Sequence, residues 1–355
     1  SVNLASGSAT GASIGADSLT SIEKIRATYQ DDGLIGTDGH NSFSSFDGND
    51  TVDGAGDYDI LHLGDHLSAA SSGITGDLRT LDANGYTTLT YDADGDLSTT
   101  ADTYNVKVKN VEQIWLSDAA DSIVGDDNHN YLMGLSGDDT LLGGGGDDNL
   151  QGGAGNDSID GGAGNNQLSY WNDRGGQIHG VDVNLNTGSA TDNYGGTDTF
   201  INITDVSGSN ANDIITGDAQ NNRLWGLDGN DTIFGGEGSD TLYTGNGDDQ
   251  LFGESGDDEL NLDGSGGATL DGGEGSDTLR VSFNDVLNPD FENSLTVDLT
   301  TGIMGQTGNL SDPRTDMLVS IENVNFTTDL NLRITGTEDN NVLVASNGND
   351  TVLAA

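Results

Sequence analysis

The sequence predicts an all-β fold, a parallel β-solenoid with glycine-rich turns. Three observations carry that expectation. A nine-residue period, Gly-x-x-Gly-x-Asp-x-apolar-x, runs without a gap from Gly134 to Ser169 as GLSGDDTLL, GGGGDDNLQ, GGAGNDSID and GGAGNNQLS. A fixed short period marks stacked units that cannot bury their apolar faces alone. The charge balance is extreme: 10 Lys and Arg stand against 60 Asp and Glu, a formal net charge of -50, with 32% of residues hydrophobic. Such a chain stays expanded unless bound cations neutralise it. Finally, aspartates and apolar residues recur 18 positions apart, so stacking every second turn sets like on like.

Each position of the nonad has a physical reason. The first six residues make a turn and the last three a short strand. Glycines at positions one, two and four permit left-handed backbone angles. Position eight is apolar and points inward: Leu132, Leu141, Leu150, Ile159 and Leu168 in one run, Leu224, Ile233, Leu242, Leu251 and Leu260 in another. Two nonads complete a coil, and stability must come from stacked neighbours, because one strand buries little. After Asn261 an extra residue, Leu262, shifts the frame, which reads as a bulge or a wider coil. No segment has helical periodicity.

Position six is the candidate metal ligand. Calcium takes about six to eight oxygens from carboxylates and carbonyls, and the turn supplies both. An ion shared by turns two apart pairs Asp32 with Asp50, Asp121 with Asp139, Asp139 with Asp157, Asp213 with Asp231, Asp231 with Asp249, and Asp240 with Asp258. Asp148 lies between Asn130 and Asn166, Asp277 follows Asp258 by 19 residues, and Asp350 belongs to the last nonad. Asparagine at Asn41, Asn130, Asn166, Asn222 and Asn341 offers a weaker ligand, so empty or loose sites are expected there. The competing reading, solvent-exposed Gly-Asp bends without metal, suits isolated turns better than in-frame tandem copies.

The nonads fall into four expected modules, at residues 1–61, 74–171, 181–283 and 295–355, the last truncated. Each opens with an irregular β-like segment such as VDVNLNTGSATDNYGGTDTFINITDV at Val181–Val206. Because the chain opens inside one leading segment and stops just after a nonad, it is expected to be an excerpt of a longer array.

These nonads resemble the RTX (repeats-in-toxin, hemolysin-type) calcium-binding family, most specifically over Leu116–Ser169 and Gly208–Arg280. The resemblance implies a right-handed parallel β-roll/β-helix solenoid with multiple calcium ions, type I secretion and calcium-triggered folding outside the cell. It also implies that the VxVNLxTGxA and LxxIExV segments are spacers adding wider β-helical coils. It does not fix function, since toxins, proteases, lipases, epimerases, adhesins and surface-layer proteins all carry such repeats.

Other classes find little support. Cysteine is absent, and the 55 glycines lack the every-third spacing of collagen. No run approaches the roughly 18 apolar residues of a membrane span, and Ser1–Thr10 has no signal-peptide pattern. The negative charge argues against nucleic acid or an anionic membrane. HExxH is missing, and the Gly-x-Ser-x-Gly match at Gly11–Gly15 reads as a loop with no helix behind it. His62 and His66 flank a strand-turn better than a zinc ion. Tyr91–Asp102, with Asp92, Asp94 and Asp96, suggests an EF-hand-like loop, yet Gly95 is early and Thr103 stands where the bidentate Glu belongs. Trp115, Trp171, Trp225, Tyr131, Tyr170 and Tyr243 are candidates for stacking on sugars, or for plugging a core.

No catalytic residue is assigned. The expected function is a non-catalytic, calcium-dependent extracellular scaffold: a segment of a surface-layer, adhesin or matrix protein of a Gram-negative bacterium. Self-association or cell-surface polysaccharide are the candidate partners. The alternative is an accessory domain of a secreted epimerase- or lyase-like enzyme whose catalytic domain lies elsewhere.

Overall fold

The computed structural model describes residues 1–11, 15–18, 22–45, 47–63, 73–92, 103–171, 179–282, 294–307, 315–326, 331–337, 341–345 and 350–353. Every regular element among them is a strand. The chain divides into two compact units, Ser1–Ser169 with Tyr194–Ile203, and Tyr170–Asn193 with Thr204–Ala355.

Within each unit alternate nonads feed two parallel sheets. In the first unit Ser122–Val124, Thr140–Leu142 and Ser158–Asp160 align Ile123, Leu141 and Ile159. On its other sheet Gln113–Trp115, Tyr131–Ser136, Asn149–Ala154 and Gln167–Ser169 align Ile114, Leu132, Leu150 and Leu168. The second unit repeats this with Ile215, Ile233 and Leu251 on one sheet and Leu224, Leu242 and Leu260 on the other. The registers advance by 18 residues, so two nonads do make one coil, and these position-eight side chains are 0–2% exposed. Each coil of this kind thus places only two nonad apolar side chains in the core, far fewer per residue than a globular interior. The fold depends on what joins coil to coil.

The frame shift at Leu262 is a wider coil and not a bulge. Glu259–Leu262 pairs residue for residue with Thr278–Val281, bringing Leu262 against Val281, and Leu251 meets Leu270 at the same 19-residue spacing. Leu262 is fully buried, so the extra residue lengthens the inward row.

The leading segments form the wider coils expected of them, with Thr51 meeting Lys107 and Thr269 meeting Met317 in parallel across them, and they carry hairpins that the sequence did not announce. Val2–Asn3 pairs antiparallel with Ser8–Gly11, Thr75–Asp77 with Thr87–Asp92, Asp182–Asn184 with Ser189–Thr191, and Ser294–Asp298 with Ile303–Thr307. The first strand of each also joins the next nonad in parallel: Val2 meets Leu34, Gly76 meets Ile123, Val183 meets Ile215, and Val297 meets Ile334. The x-Gly step that reverses three of them holds glycine in the left-handed region, at φ 62° for Gly7, 64° for Gly188 and 66° for Gly302. That is hairpin-turn chemistry.

Gly11 and Gly15 face one another across such a hairpin, and a strand, Gly15–Ser18, follows. Ala12–Ile14, between them, lie outside the described residues, as do His66 and residues 93–102 of the EF-hand-like loop. The strands flanking that loop pair antiparallel up to Asp92 and Thr103. Among the described residues no helix is long and apolar enough to cross a membrane.

Candidate metal centre

The two oxygens of each position-six carboxylate have different partners. Oδ1 accepts the backbone N–H of the position-six residue one coil earlier. Asp121 donates to Asp139 at 2.7 Å, Asp139 to Asp157 at 2.8 Å, Asp213 to Asp231 at 2.8 Å, Asp231 to Asp249 at 2.9 Å, and Asp240 to Asp258 at 2.8 Å. Asp32 donates to Asp50 at 2.9 Å, and Asp258 donates to Asp277 at 2.9 Å across the wider coil. Asp148 accepts from Asn130 at 2.8 Å and donates to Asn166 at 3.0 Å. Asp350 continues the pattern, accepting from Leu332 at 2.9 Å. Every pair drawn from the sequence is therefore stacked.

The fate of Oδ2 is decided at position two of the same turn. Where position two is Thr28, Ser117 or Ser209, its N–H donates to Oδ2 of Asp32, Asp121 or Asp213 at 2.8, 2.8 and 2.6 Å; the Thr28 hydroxyl also donates to Oδ2, and the Ser117 and Ser209 hydroxyls donate to Oδ1. Asp50 receives the Ser45 hydroxyl. Where position two is left-handed, no such bond forms. Ala55, Leu135, Leu227 and Glu254 have φ of 81°, 81°, 78° and 70°, and Gly144, Gly236 and Gly273 have 101°, 112° and 99°. The Oδ2 atoms of the corresponding Asp59, Asp139, Asp231, Asp258, Asp148, Asp240 and Asp277 are buried with no hydrogen-bond partner. A non-glycine residue at positive φ is strained, so the open turn is held by its surroundings.

Asparagine turns close themselves. Asn41, Asn130, Asn222 and Asn341 each accept the position-two N–H on Oδ1, at 2.6–2.9 Å. The amide nitrogens of Asn222 and Asn341 donate to the carbonyls of Thr204 and Glu322, both at 2.9 Å.

Position-one glycine completes the cradle at the open turns. A Cβ on Gly134 would collide with both Asp139 Oδ2 and the carbonyl of Gly152, one coil on. Gly143 faces Asp148 Oδ2 and the Gly161 carbonyl, Gly226 faces Asp231 Oδ2 and the Thr244 carbonyl, and Gly235 faces Asp240 Oδ2 and the Gly253 carbonyl. A carboxylate and a carbonyl from successive coils thus converge on one small space. No three His, Cys, Asp or Glu side chains gather among the described residues. The donor set is mainly backbone carbonyl with carboxylate, the hard oxygen surroundings that calcium accepts and unlike the nitrogen and sulfur of zinc sites. The residues present fit calcium.

Burial with no facing cation pushes these carboxyls up: Asp139 to about 9, Asp231 to about 8, Asp59 and Asp240 to about 7, and Asp121, Asp148 and Asp277 to about 6. Asp213 and Asp258 move the same way for the same reason.

The sequence reading missed a second row. Position five forms its own ladder running in the opposite sense, with the later coil donating: Asn156 to Asp138 at 2.8 Å, Asn165 to Asp147 at 2.8 Å, and Asp248 to Asn230 at 2.9 Å. It also missed Asp59, which follows Asp50 by nine residues but has Asp57 where the turn normally has glycine. Glu112, Asp198, Asp316 and Glu322 in the spacers were missed as well. They accept the N–H groups of Asp59, Asp157, Ala268 and Asp277 at 2.8–3.0 Å and carry the ladder onward. His62 packs edge-on against Trp115, with ring centres 4.6 Å apart. Trp225 and Tyr243 stack on each other at 5.2 Å, which commits a face of each ring.

Fold and turns together define a parallel β-roll of glycine-rich, carboxylate-bearing repeats. The model of the RTX calcium-binding nonapeptide repeat (4 copies) matches residues 27–61, 112–141, 142–173, 207–242, 225–260, 234–268, 262–281 and 333–355, more than half of the chain. The chain belongs to that family, and calcium is the metal its repeats bind. Among solved structures, the extracellular lipase LipA from Serratia marcescens is similar at 19% identity over 59% of this chain, with a TM-score of 0.22. The match spans 37% of the lipase. No curated protein matches the chain.

Proposed function

We propose that this chain is a calcium-dependent, non-catalytic scaffold segment that folds outside the cell after type I secretion from a Gram-negative bacterium. The observation that carries the reading is the repeated row of buried carboxylate oxygens without a protein donor, at Asp139 and Asp148 in one unit and Asp231, Asp240, Asp258 and Asp277 in the other. A row of this kind has no use for a substrate; it joins coil to coil. Asp157, Asp249 and Asp350 take the same place in the ladder and are assigned to it as well. Asp32, Asp121 and Asp213, which begin their arrays, and Asp50, one coil after Asp32, have protein donors already on Oδ2, so they are the weaker candidates.

Bound calcium supplies the positive charge that the composition lacks. The protein's own part is geometric: Oδ1 fixes the coil spacing, position-one glycine leaves the space, and left-handed position two keeps Oδ2 available. At roughly millimolar external calcium, sites of about 10⁻⁴–10⁻³ M affinity fill and folding follows by linkage. The hairpins that begin residues 1–61, 74–171, 181–283 and 295–355 support reading these as four modules of one assembly unit.

Electron microscopy of the full chain with 10 mM calcium (roughly tenfold above the weakest expected sites) and with chelator tests the role. Ordered sheets or filaments that dissolve on chelation are expected. Dispersed particles that instead retain polysaccharide in affinity electrophoresis would replace the scaffold with an accessory binding module.

A further inference from the structure

The ladder does not stop where an array ends. In the first unit the turn carrying Asp59 is followed one coil later by a three-residue corner, Asn110-Val111-Glu112, between strands Thr103–Lys109 and Gln113–Trp115. In the second unit Asp277 is followed by Ser320-Ile321-Glu322, between Thr315–Val319 and Asn323–Phe326. The two corners share one geometry. Asn110 and Ser320 are left-handed, at φ 52° and 49°. Glu112 Oε2 accepts the Asp59 N–H and Glu322 Oε2 accepts the Asp277 N–H, both at 2.8 Å. The backbone N–H groups of Glu112 and Gln113 return to the Asp59 carbonyl at 3.3 and 3.1 Å, and those of Glu322 and Asn323 to the Asp277 carbonyl at 3.2 and 2.9 Å.

What converges there is what converges inside the arrays. A Cβ on Gly54 would collide with Asp59 Oδ2 and the Asn110 carbonyl; one on Gly272 would collide with Asp277 Oδ2 and the Ser320 carbonyl. Position two is left-handed in both turns, at Ala55 and Gly273. Asp59 and Asp277 are 0% exposed, and neither Oδ2 has a hydrogen-bond partner. Glutamate has a steric reason. The corner spans three residues where a nonad turn spans six, and one more methylene carries a carboxylate from the shorter turn to the place an aspartate reaches from the longer one.

A third corner of the first unit supplies the contrast. There the position-one glycine, Gly161, faces the carbonyl of Asn202, again left-handed at φ 58°. The ladder residue is Asn166, whose amide nitrogen donates to that carbonyl at 3.1 Å, and the residue two beyond Asn202 is Thr204. The same backbone is built here around a neutral ladder residue, whose amide takes up the carbonyl.

We propose that Asp59 with Glu112, and Asp277 with Glu322, each form a calcium site at the corner where an array meets its spacer. The ion row then runs into the spacer coils and locks their hairpins to the arrays, while the Asn166 corner is closed without metal. This rests on the calcium chemistry of the ladder and is independent of the scaffold role.

Calcium bound per chain, counted by equilibrium dialysis at saturating calcium, tests it together with amide hydrogen exchange. Glu112→Gln and Glu322→Gln keep the acceptor for the Asp N–H and remove the charge. Each is expected to lose one ion, and the double variant two. Calcium-dependent protection should fall at residues 110–115 and 320–325 and persist at 139–157. Asp59→Asn copies the neutral corner already present at Asn166, so it keeps its fold and still loses one ion. An unchanged count and unchanged protection in all of these variants overturns the corner sites alone. A wild-type chain that takes up no calcium overturns the ladder and this proposal together.

Discussion

Replacing Asp139 and Asp231 with asparagine, one in each unit, is expected to raise stability without calcium and to lower it with calcium. The two directions have separate causes. Without metal each carboxylate is buried with one oxygen unpaired, and burial drives its pKa to about 9 and about 8. An uncompensated buried charge of this kind costs on the order of several kcal/mol. Asparagine keeps the Oδ1 acceptor for the preceding coil, and its nitrogen can meet a carbonyl, as Asn166 already does with the Asp148 N–H and the Asn202 carbonyl. With calcium at a hundredfold excess over Kd, each filled site contributes about 2.7 kcal/mol, and the variants forfeit it. The difference in Tm between calcium-loaded and calcium-free protein should shrink by roughly 10 °C. Asp138→Asn and Asp147→Asn, on the exposed position-five row, should leave that difference unchanged. Equal losses from both rows would show that the position-six carboxylates have no special tie to calcium.

Acidification is expected to do part of calcium's work. A carboxyl whose folded pKa lies above its unfolded value binds its proton more tightly when folded. Its contribution to stability is complete below about pH 3.9 and is lost as pH rises through the folded pKa. Here that loss is spread from about 6 at Asp121, Asp148 and Asp277, through about 7 at Asp59 and Asp240, to about 8 at Asp231 and about 9 at Asp139. Calcium-free protein should therefore gain β-structure as pH falls from 8 to 5, values that span most of these transitions. Affinity for calcium should fall over the same interval, because each ion must displace protons. Far-UV circular dichroism across pH, with and without chelator, gives both curves. A calcium-free chain most structured at the alkaline end would contradict the burial of these carboxyls.

Much of the fold and part of the site were legible from the period. Position eight shows in the sequence because burial demands Leu, Ile or Val every nine residues, and the 18-residue stacking of the aspartates follows from two nonads per coil. The Oδ2 distinction was harder. Its signal is only the presence or absence of Ser or Thr at position two, and its cause is a backbone angle: at Leu135, Leu227 and Glu254 the left-handed state is imposed on side chains that disfavour it. The spacers hid their chemistry for another reason. Asn110-Val111-Glu112 and Ser320-Ile321-Glu322 break the nonad's length, so a frame nine residues long passes over the glutamates that extend the ladder. The hairpin turns at Gly7, Gly188 and Gly302 were visible as x-Gly steps, but nothing in the period shows that a wider coil carries a hairpin.

Small-angle scattering of the full chain at pH 7.5 and low salt, with calcium and then with EGTA, tests most directly whether calcium joins the coils. Calcium as the joint predicts a compact, β-rich particle that expands on chelation toward roughly 70 Å in radius of gyration, the unfolded-chain value for 355 residues. A particle that keeps its compact, β-rich state in EGTA would contradict it.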